Sequence, residues 1–425
     1  GALIAGGDVV STIRGGIIDP AAIAGSDRFI WMMTAALLAG ALWLNFATAV
    51  GAPVSTTHSI VGAVLGAGVA AGGMSAARWE VMGGIAASWV ISPVIGGLVA
   101  AGFLYWIKRV ITYQADMVAA AQRTVPVLIG LMAFAFSTYL ILKGLNRVWK
   151  VDFLTACLIG AVAGVLTGVL MRFSLRSRAM RLSNDKQSIN ALFTVPLICA
   201  AALLSFAHGA NDVANAVGPL AAIADTVLRG EVSGSAGVPM WIMAIGAIGI
   251  ALGLALYGPR LIRTVGSEIT ELDQMRAFCI AMSAAVTVII ASQLGLPVSS
   301  THIALGGVFG VGFLREFIKK SYGQMLEEIR AHHSGADKDV VEAFVTRFER
   351  ASVKDKRDML DQLKARTVPA SLSKQERKQM RKVYRKALVK RSAALKIIAA
   401  WIVTVPASAL IAAMIYYMIF GIVHA

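Results

Sequence analysis

An all-α polytopic membrane protein, built from two related units with broken or re-entrant helices, is the fold class that the sequence predicts. Three observations carry the prediction. Of 425 residues 57% are hydrophobic and 15% charged, with a mean hydropathy of +0.70, a composition that excludes a water-soluble enzyme. Eight apolar runs reach membrane length. Two stretches, "APVSTTHSIVGAVLGAG" from Ala52 and "LPVSSTHIALGGVFGVG" from Leu296, repeat each other at a constant offset, Pro53 falling on Pro297 and His58 on His302.

Taken in order, the runs Phe29 to Val50, Val81 to Ile107, Val125 to Leu142 and Phe153 to Met171 each suit one crossing, which needs about 20 apolar residues. Ala191 to Ala224 is too long for one crossing and is interrupted by "HGANDVANAVGP", His208 to Pro219. Val238 to Tyr257 is again a single span. The run Ala277 to Leu314 would extend roughly 57 Å as one helix, against a hydrocarbon core of about 30 Å. The chain must therefore break, and Pro297 followed by Ser299, Ser300 and Thr301 is the natural place, because proline suits the first turn of a helix and hydroxyls cap its amides. Ile397 to Val423 forms a last span.

A duplicated membrane unit with an interrupted segment in each copy is the mark of a secondary transporter built from structural repeats. The expected organisation is a first repeat over 1–171, a basic linker over 172–190, a second repeat over 191–314, a polar helical insert over 315–396 and a terminal helix over 397–425. Within the insert, Ser373 with Glu376 makes a capping box ahead of "RKQMRKVYRKALVKR".

The net charge of +16 is concentrated in that insert and in the linker (Arg172, Arg176, Arg178, Arg181, Lys186). The positive-inside rule places such short basic loops in the cytoplasm, and no aromatic-interleaved motif accompanies the charge, so nucleic acid is not an expected partner. Cys157, Cys199 and Cys279 all lie in apolar runs, where a thiol acts as a small hydrophobe, so neither a disulfide framework nor a cysteine metal site is expected. The chain opens at Gly1 in mid-pattern, with no signal-peptide features, and is expected to lack its natural beginning.

Asp212 is the sharpest chemical feature, since an ionisable residue within a membrane segment usually faces a pathway or an ion. Asn211 and Asn215 add amide oxygens beside it, a set that suits a hard monovalent cation or a proton. Ser55, Thr56 and Thr57, with Ser299, Ser300 and Thr301, stand where two half-helices begin. Their amides and hydroxyls would together attract an oxyanion. His58 and His302 read as supports that lock each break, with substrate contact and proton transfer as other roles.

Together "GANDVANAVGP", "PVSTTH", "PVSSTH" and the "ASWVISP" of Ala87 to Pro93 resemble the inorganic phosphate transporter (PiT) family, over Gly1 to Leu314. The insert and the final helix carry no signature of it. The resemblance implies a dimeric carrier, built from inverted repeats, that moves orthophosphate with sodium or protons. It further implies that Asn211, Asp212 and Asn215 serve the coupling cation, with sodium at Asp212 as the candidate metal, and that Ser55, Thr56, Thr57, Ser299, Ser300 and Thr301 hold phosphate. No other cofactor is implied. A first GANDVAN-type motif would fall before residue 1, and Ala281 stands where sodium-coupled members often carry a glutamate, so the coupling ion stays open. The expected setting is a bacterial inner membrane. Two other readings fit the residues: a carrier of sulfate or another tetrahedral oxyanion, and an intramembrane serine hydrolase using Ser55 or Ser299.

Overall fold

The structure is a computed structural model that describes residues 1–52, 54–143, 151–179, 182–230, 238–268, 273–331 and 391–424. Two short helices, α1 (Ala2–Ala5) and α2 (Gly7–Ser11), lead into a π-helical turn at Thr12–Gly16. There follow α3 (Ser26–Ala49), α4 (Thr56–Gly72), α5 (Trp79–Ile107), α6 (Met117–Lys143), α7 (Phe153–Ala179) and α8 (Lys186–Leu192). The remaining helices are α9 (Thr194–Asp212), α10 (Ala214–Arg229), α11 (Met240–Glu268), α12 (Gln274–Gln293), α13 (Ser300–Ala331) and α14 (Arg391–His424). Among the described residues nine helical stretches are long and apolar enough to cross a membrane, and there is no strand, only a bridge between Ile18 and Ala77.

Both long apolar runs are broken where the sequence requires. The run from Ala277 divides into α12 and α13, and the run from Ala191 divides at Val213 between α9 and α10. Two helices overrun the expected boundaries: α7 continues to Ala179 and α13 to Ala331. The helices expected deeper in the insert, including the Ser373–Glu376 box, lie outside the described residues. Between α7 and α8, Asp185 caps α8, its carboxylate accepting from the Ser183 hydroxyl and from the Ser188 amide at 2.8 Å. The Ser183 bond and then the Ser188 bond hold its carboxyl below the usual carboxylate range. The cap is therefore complete above about pH 4 and is lost as pH falls through the lowered value.

Glycines at matching places in the two copies turn the chain into each break. Gly51 has φ +71° before α4 and Gly295 has φ +65° before α13, a region that costs a side-chain-bearing residue roughly 1–2 kcal/mol. Gly51→Ala and Gly295→Ala are each expected to lower stability by about 1 kcal/mol or more. Gly102→Ala, on α5 with nothing within 4 Å of its added methyl, should not. Thermal unfolding of the purified variants checks this, and equal midpoints for all three would overturn it.

Each half-helix packs backbone to backbone on one long partner. A methyl added at Gly306 would stand 2.1 Å from the carbonyl oxygen of Pro93, and one at Gly310 would stand 2.0 Å from that of Gly97, so α13 lies directly on α5. On the other side, methyls at Gly62 and Gly66 would stand 2.7 Å from the Val405 oxygen and 2.1 Å from the Ala409 oxygen, so α4 lies on α14 in the same manner. The final helix, expected to carry no signature, is thus the counterpart of α5. Its Trp401 and Pro406 echo Trp89 and Pro93, with one extra residue between them that hides the match from a simple reading.

The packing does not follow chain order. One core joins the α2 turn, α3, α4 and α10 with Ala412 and Tyr416 of α14, and another joins α5, α6, α8, α9 and α12 with Val311 of α13. A small cluster of Ala207, Ala284, Val288, Ala291, Val298 and Ile303 lies beside the second break. Outer helices keep apolar faces open to lipid, as α7 does with Leu154, Leu158, Val162 and Leu166.

Candidate functional site

The site forms where the starts of α4 and α13 meet the α9–α10 junction. Ser55 and Ser299 are buried N-caps: each hydroxyl oxygen accepts from the amide three residues on, His58 at 3.2 Å and His302 at 3.3 Å. Capping consumes a lone pair and leaves each O–H proton able to donate. The breaks are stitched together by Thr57, whose hydroxyl donates to the Val298 carbonyl at 3.0 Å. Trp89 Nε1 donates to the Pro297 carbonyl, also at 3.0 Å.

His58 and His302 face each other edge to plane with ring centroids 4.5 Å apart. Trp89 lies 3.8 Å outside the first and Trp401 lies 3.6 Å outside the second. Both histidines are buried, and the ring nitrogens of His302 have no hydrogen-bond partner among the described residues. Four flat side chains, one from each of α4, α5, α13 and α14, therefore pack as a row joining the two half-helices.

Asp212 is the point on which the polar groups converge. Its Oδ2 accepts from the Thr56 hydroxyl at 3.4 Å and from the Ser300 hydroxyl at 3.2 Å, one from each break. Four residues earlier on the same helix, His208 brings Nδ1 to 3.4 Å from that oxygen and to 2.5 Å from Ser300 Oγ. The neighbouring amides turn their donors toward protein: Asn211 Nδ2 donates to Ser292 Oγ at 3.0 Å and to the Leu296 carbonyl at 3.2 Å. Asn215 Nδ2 donates to Thr56 Oγ1 at 3.2 Å and Thr57 Oγ1 at 3.3 Å.

Three oxygens are left over. Asn211 Oδ1, Asp212 Oδ1 and Asn215 Oδ1 are buried without a hydrogen-bond partner among the described residues, although buried acceptors are almost always satisfied. A carboxylate with two amide oxygens is a donor set for a hard cation. On the other side, the α4 and α13 starts supply amides, dipole and hydroxyls for an anion. Thr56 is exposed, and the His208 side chain is 41% exposed while that of Asp212 is only 9% exposed, so access runs past Thr56 and His208.

The tertiary structure thus brings Thr56, Ser300, Asn215 and Asp212 into direct contact. Thr57 is engaged between the breaks, Ser55 and Ser299 sit behind as caps, and Thr301 is half-buried one residue further along α13. Two contributors escape a sequence reading. His208 was detectable as the residue one helical turn before Asp212, whereas Trp401 needed the match to Trp89. The hydrolase arrangement is not formed, since Ser55 and Ser299 meet backbone amides rather than imidazoles. A single His208 nitrogen faces both Ser300 and Asp212, where a catalytic relay needs two.

The chain is similar to known proteins over most of its length. The family model described as "Phosphate transporter family" matches residues 1–412. The chain is 53% identical over 428 residues to the "Putative phosphate permease" of Helicobacter pylori (strain J99), covering 98% of this chain and 80% of that protein. It is 39% identical over 316 residues to a protein of that description from Pyrococcus furiosus, covering 74% and 76%. A solved structure described as "The sodium-dependent phosphate transporter" superposes with a TM-score of 0.76 at 28% identity, covering 99% of this chain and 87% of that one.

Proposed function

The chain belongs to the phosphate transporter family and is a membrane transporter, not an enzyme; from that premise we propose that it carries inorganic phosphate by alternating access, coupled to sodium or protons. The observation that supports this most is the convergence on Asp212 of one hydroxyl from each break, Thr56 and Ser300, beside three buried oxygens that lack partners. A cation held by Asn211, Asp212 and Asn215 would neutralise the carboxylate. Its removal from the electrostatic balance would let a phosphate oxygen approach Thr56 and Ser300, which otherwise both donate to Asp212. Cation and phosphate would then enter the same gap together, which is the physical basis of symport.

In this reading Ser55, Thr57, Ser299 and Thr301 complete the phosphate shell or hold its shape, and the His58–His302 row keeps the two helix starts in register. The two units are related as inverted repeats, and rocking of one pair of packed helices against the other exposes the site to each side in turn. The setting proposed is a bacterial inner membrane with the basic segment 172–190 in the cytoplasm. The sodium-dependent structural neighbour favours sodium as the coupling ion, for which the oxygen donors are suited.

The test is uptake of radiolabelled phosphate into liposomes under sodium and proton gradients applied separately. Uptake driven by one gradient supports the reading and names the ion. No uptake under either, by folded protein, would sink it. Thr56→Ala and Ser300→Ala are each expected to raise the phosphate KM roughly tenfold, the loss of about one hydrogen bond to a charged group. An unchanged KM in both would remove these hydroxyls from the phosphate shell.

A further inference from the structure

On an outer side of the molecule, lined by none of the residues of the polar site, a groove of about 570 Å³ runs between α6 and α7. Its floor is made of glycines: a methyl at Gly130 would stand 2.9 Å from the Gly164 oxygen, and one at Gly168 would stand 3.2 Å from the Pro126 oxygen. The two backbones touch there and no side chain fills the space above them. Exposed Leu131 and Val165 stand on opposite walls.

Arg123 of α6 and Arg172 of α7 line the same mouth of the groove. Both are exposed, and no ion pair joins either to an acid among the described residues. From Arg123 to Phe134 on one wall, and from Arg172 back to Ala161 on the other, the groove extends roughly 16 Å at 1.5 Å per residue. That is about half of a 30 Å hydrocarbon core, the depth of one leaflet.

We propose that this groove binds one anionic phospholipid, with its phosphate between Arg123 and Arg172 and an acyl chain lying over Gly130, Gly164 and Gly168. Two cations at the membrane surface above an apolar slot one leaflet deep complement a lipid of that charge and length. A second copy of the chain fits less well. Two-fold pairing about an axis normal to the membrane would bring the arginines of both copies together at one end, and like charges there repel.

The experiment is native mass spectrometry of the purified chain with phosphatidylglycerol or phosphatidylcholine of identical acyl chains. The wild type is expected to retain phosphatidylglycerol preferentially. The double variant Arg123→Gln, Arg172→Gln should lose that preference by roughly thirtyfold. Val165→Trp, which narrows the slot with both arginines in place, should weaken retention of phosphatidylglycerol as well, and an unchanged thermal midpoint in detergent shows that each variant is folded. Equal retention of the two lipids by the wild type, or undiminished phosphatidylglycerol retention by the double variant, would overturn the proposal. So would conversion of a lipid-independent dimer into a monomer by Val165→Trp, which would assign the groove to a second copy.

Discussion

Asp212→Asn is expected to lower gradient-driven phosphate uptake at least roughly thirtyfold at limiting cation while leaving the protein folded. The substitution is isosteric and keeps an oxygen that can accept from Thr56 and Ser300, so the bonds joining α9 to both breaks can persist. What it removes is the charge at Oδ1, the one buried carboxylate oxygen of the site without a partner among the described residues. Losing one member of a buried charge pair costs about 2–5 kcal/mol, which corresponds to a cation affinity weaker by at least roughly thirtyfold. Uptake should fall by that factor at limiting cation and recover only in part at high cation. Variant uptake within twofold of the wild type, across the cation range, would remove Asp212 from the coupling role.

Gly310→Ala and Gly66→Ala should be the most damaging changes outside the polar site. Each added methyl would stand about 2 Å from a backbone carbonyl oxygen of the partner helix, Gly97 for one and Ala409 for the other. A backbone cannot rotate aside as a side chain can, so the helices must separate. Overpacking of this kind typically costs 1–3 kcal/mol and sometimes more. Because both glycines lie on the helices that begin at the breaks, that separation would also displace His58 or His302 from its tryptophan and misalign Thr56 or Ser300. Loss of thermal stability together with loss of phosphate uptake is therefore expected for both. Gly253→Ala on α11, with nothing within 4 Å of the new methyl, is the control and should behave as wild type. A tolerated Gly310→Ala would show that α13 and α5 are not held by this contact.

Much of this architecture was legible in one dimension because its causes are local. A 38-residue apolar run cannot cross a bilayer once, so Ala277 to Leu314 had to break, and Pro297 with the following hydroxyls marked where. The duplication of "PVSTTH" and "PVSSTH" announced two equivalent breaks, and Asp212 announced itself through the cost of placing a carboxylate among apolar residues. The functional class came from resemblance, since "GANDVANAVGP", "PVSTTH", "PVSSTH" and "ASWVISP" together resemble the inorganic phosphate transporter family.

What depended on contacts between distant segments could not be read that way. That Thr56 and Ser300 both reach a single oxygen of Asp212 follows from how α4, α13 and α9 pack, and no sequence spacing encodes it. The role of the terminal helix was hidden because its match to α5 is shifted by one residue and becomes plain only when Gly62 and Gly66 are seen against Val405 and Ala409. His208 joined the site because a helical turn and a foreign hydroxyl coincide there. The sequence by itself determined where this chain crosses, where it breaks and which atoms carry charge. The tertiary structure decided which of those atoms share one point, because convergence is a property of packing between helices that are far apart along the chain.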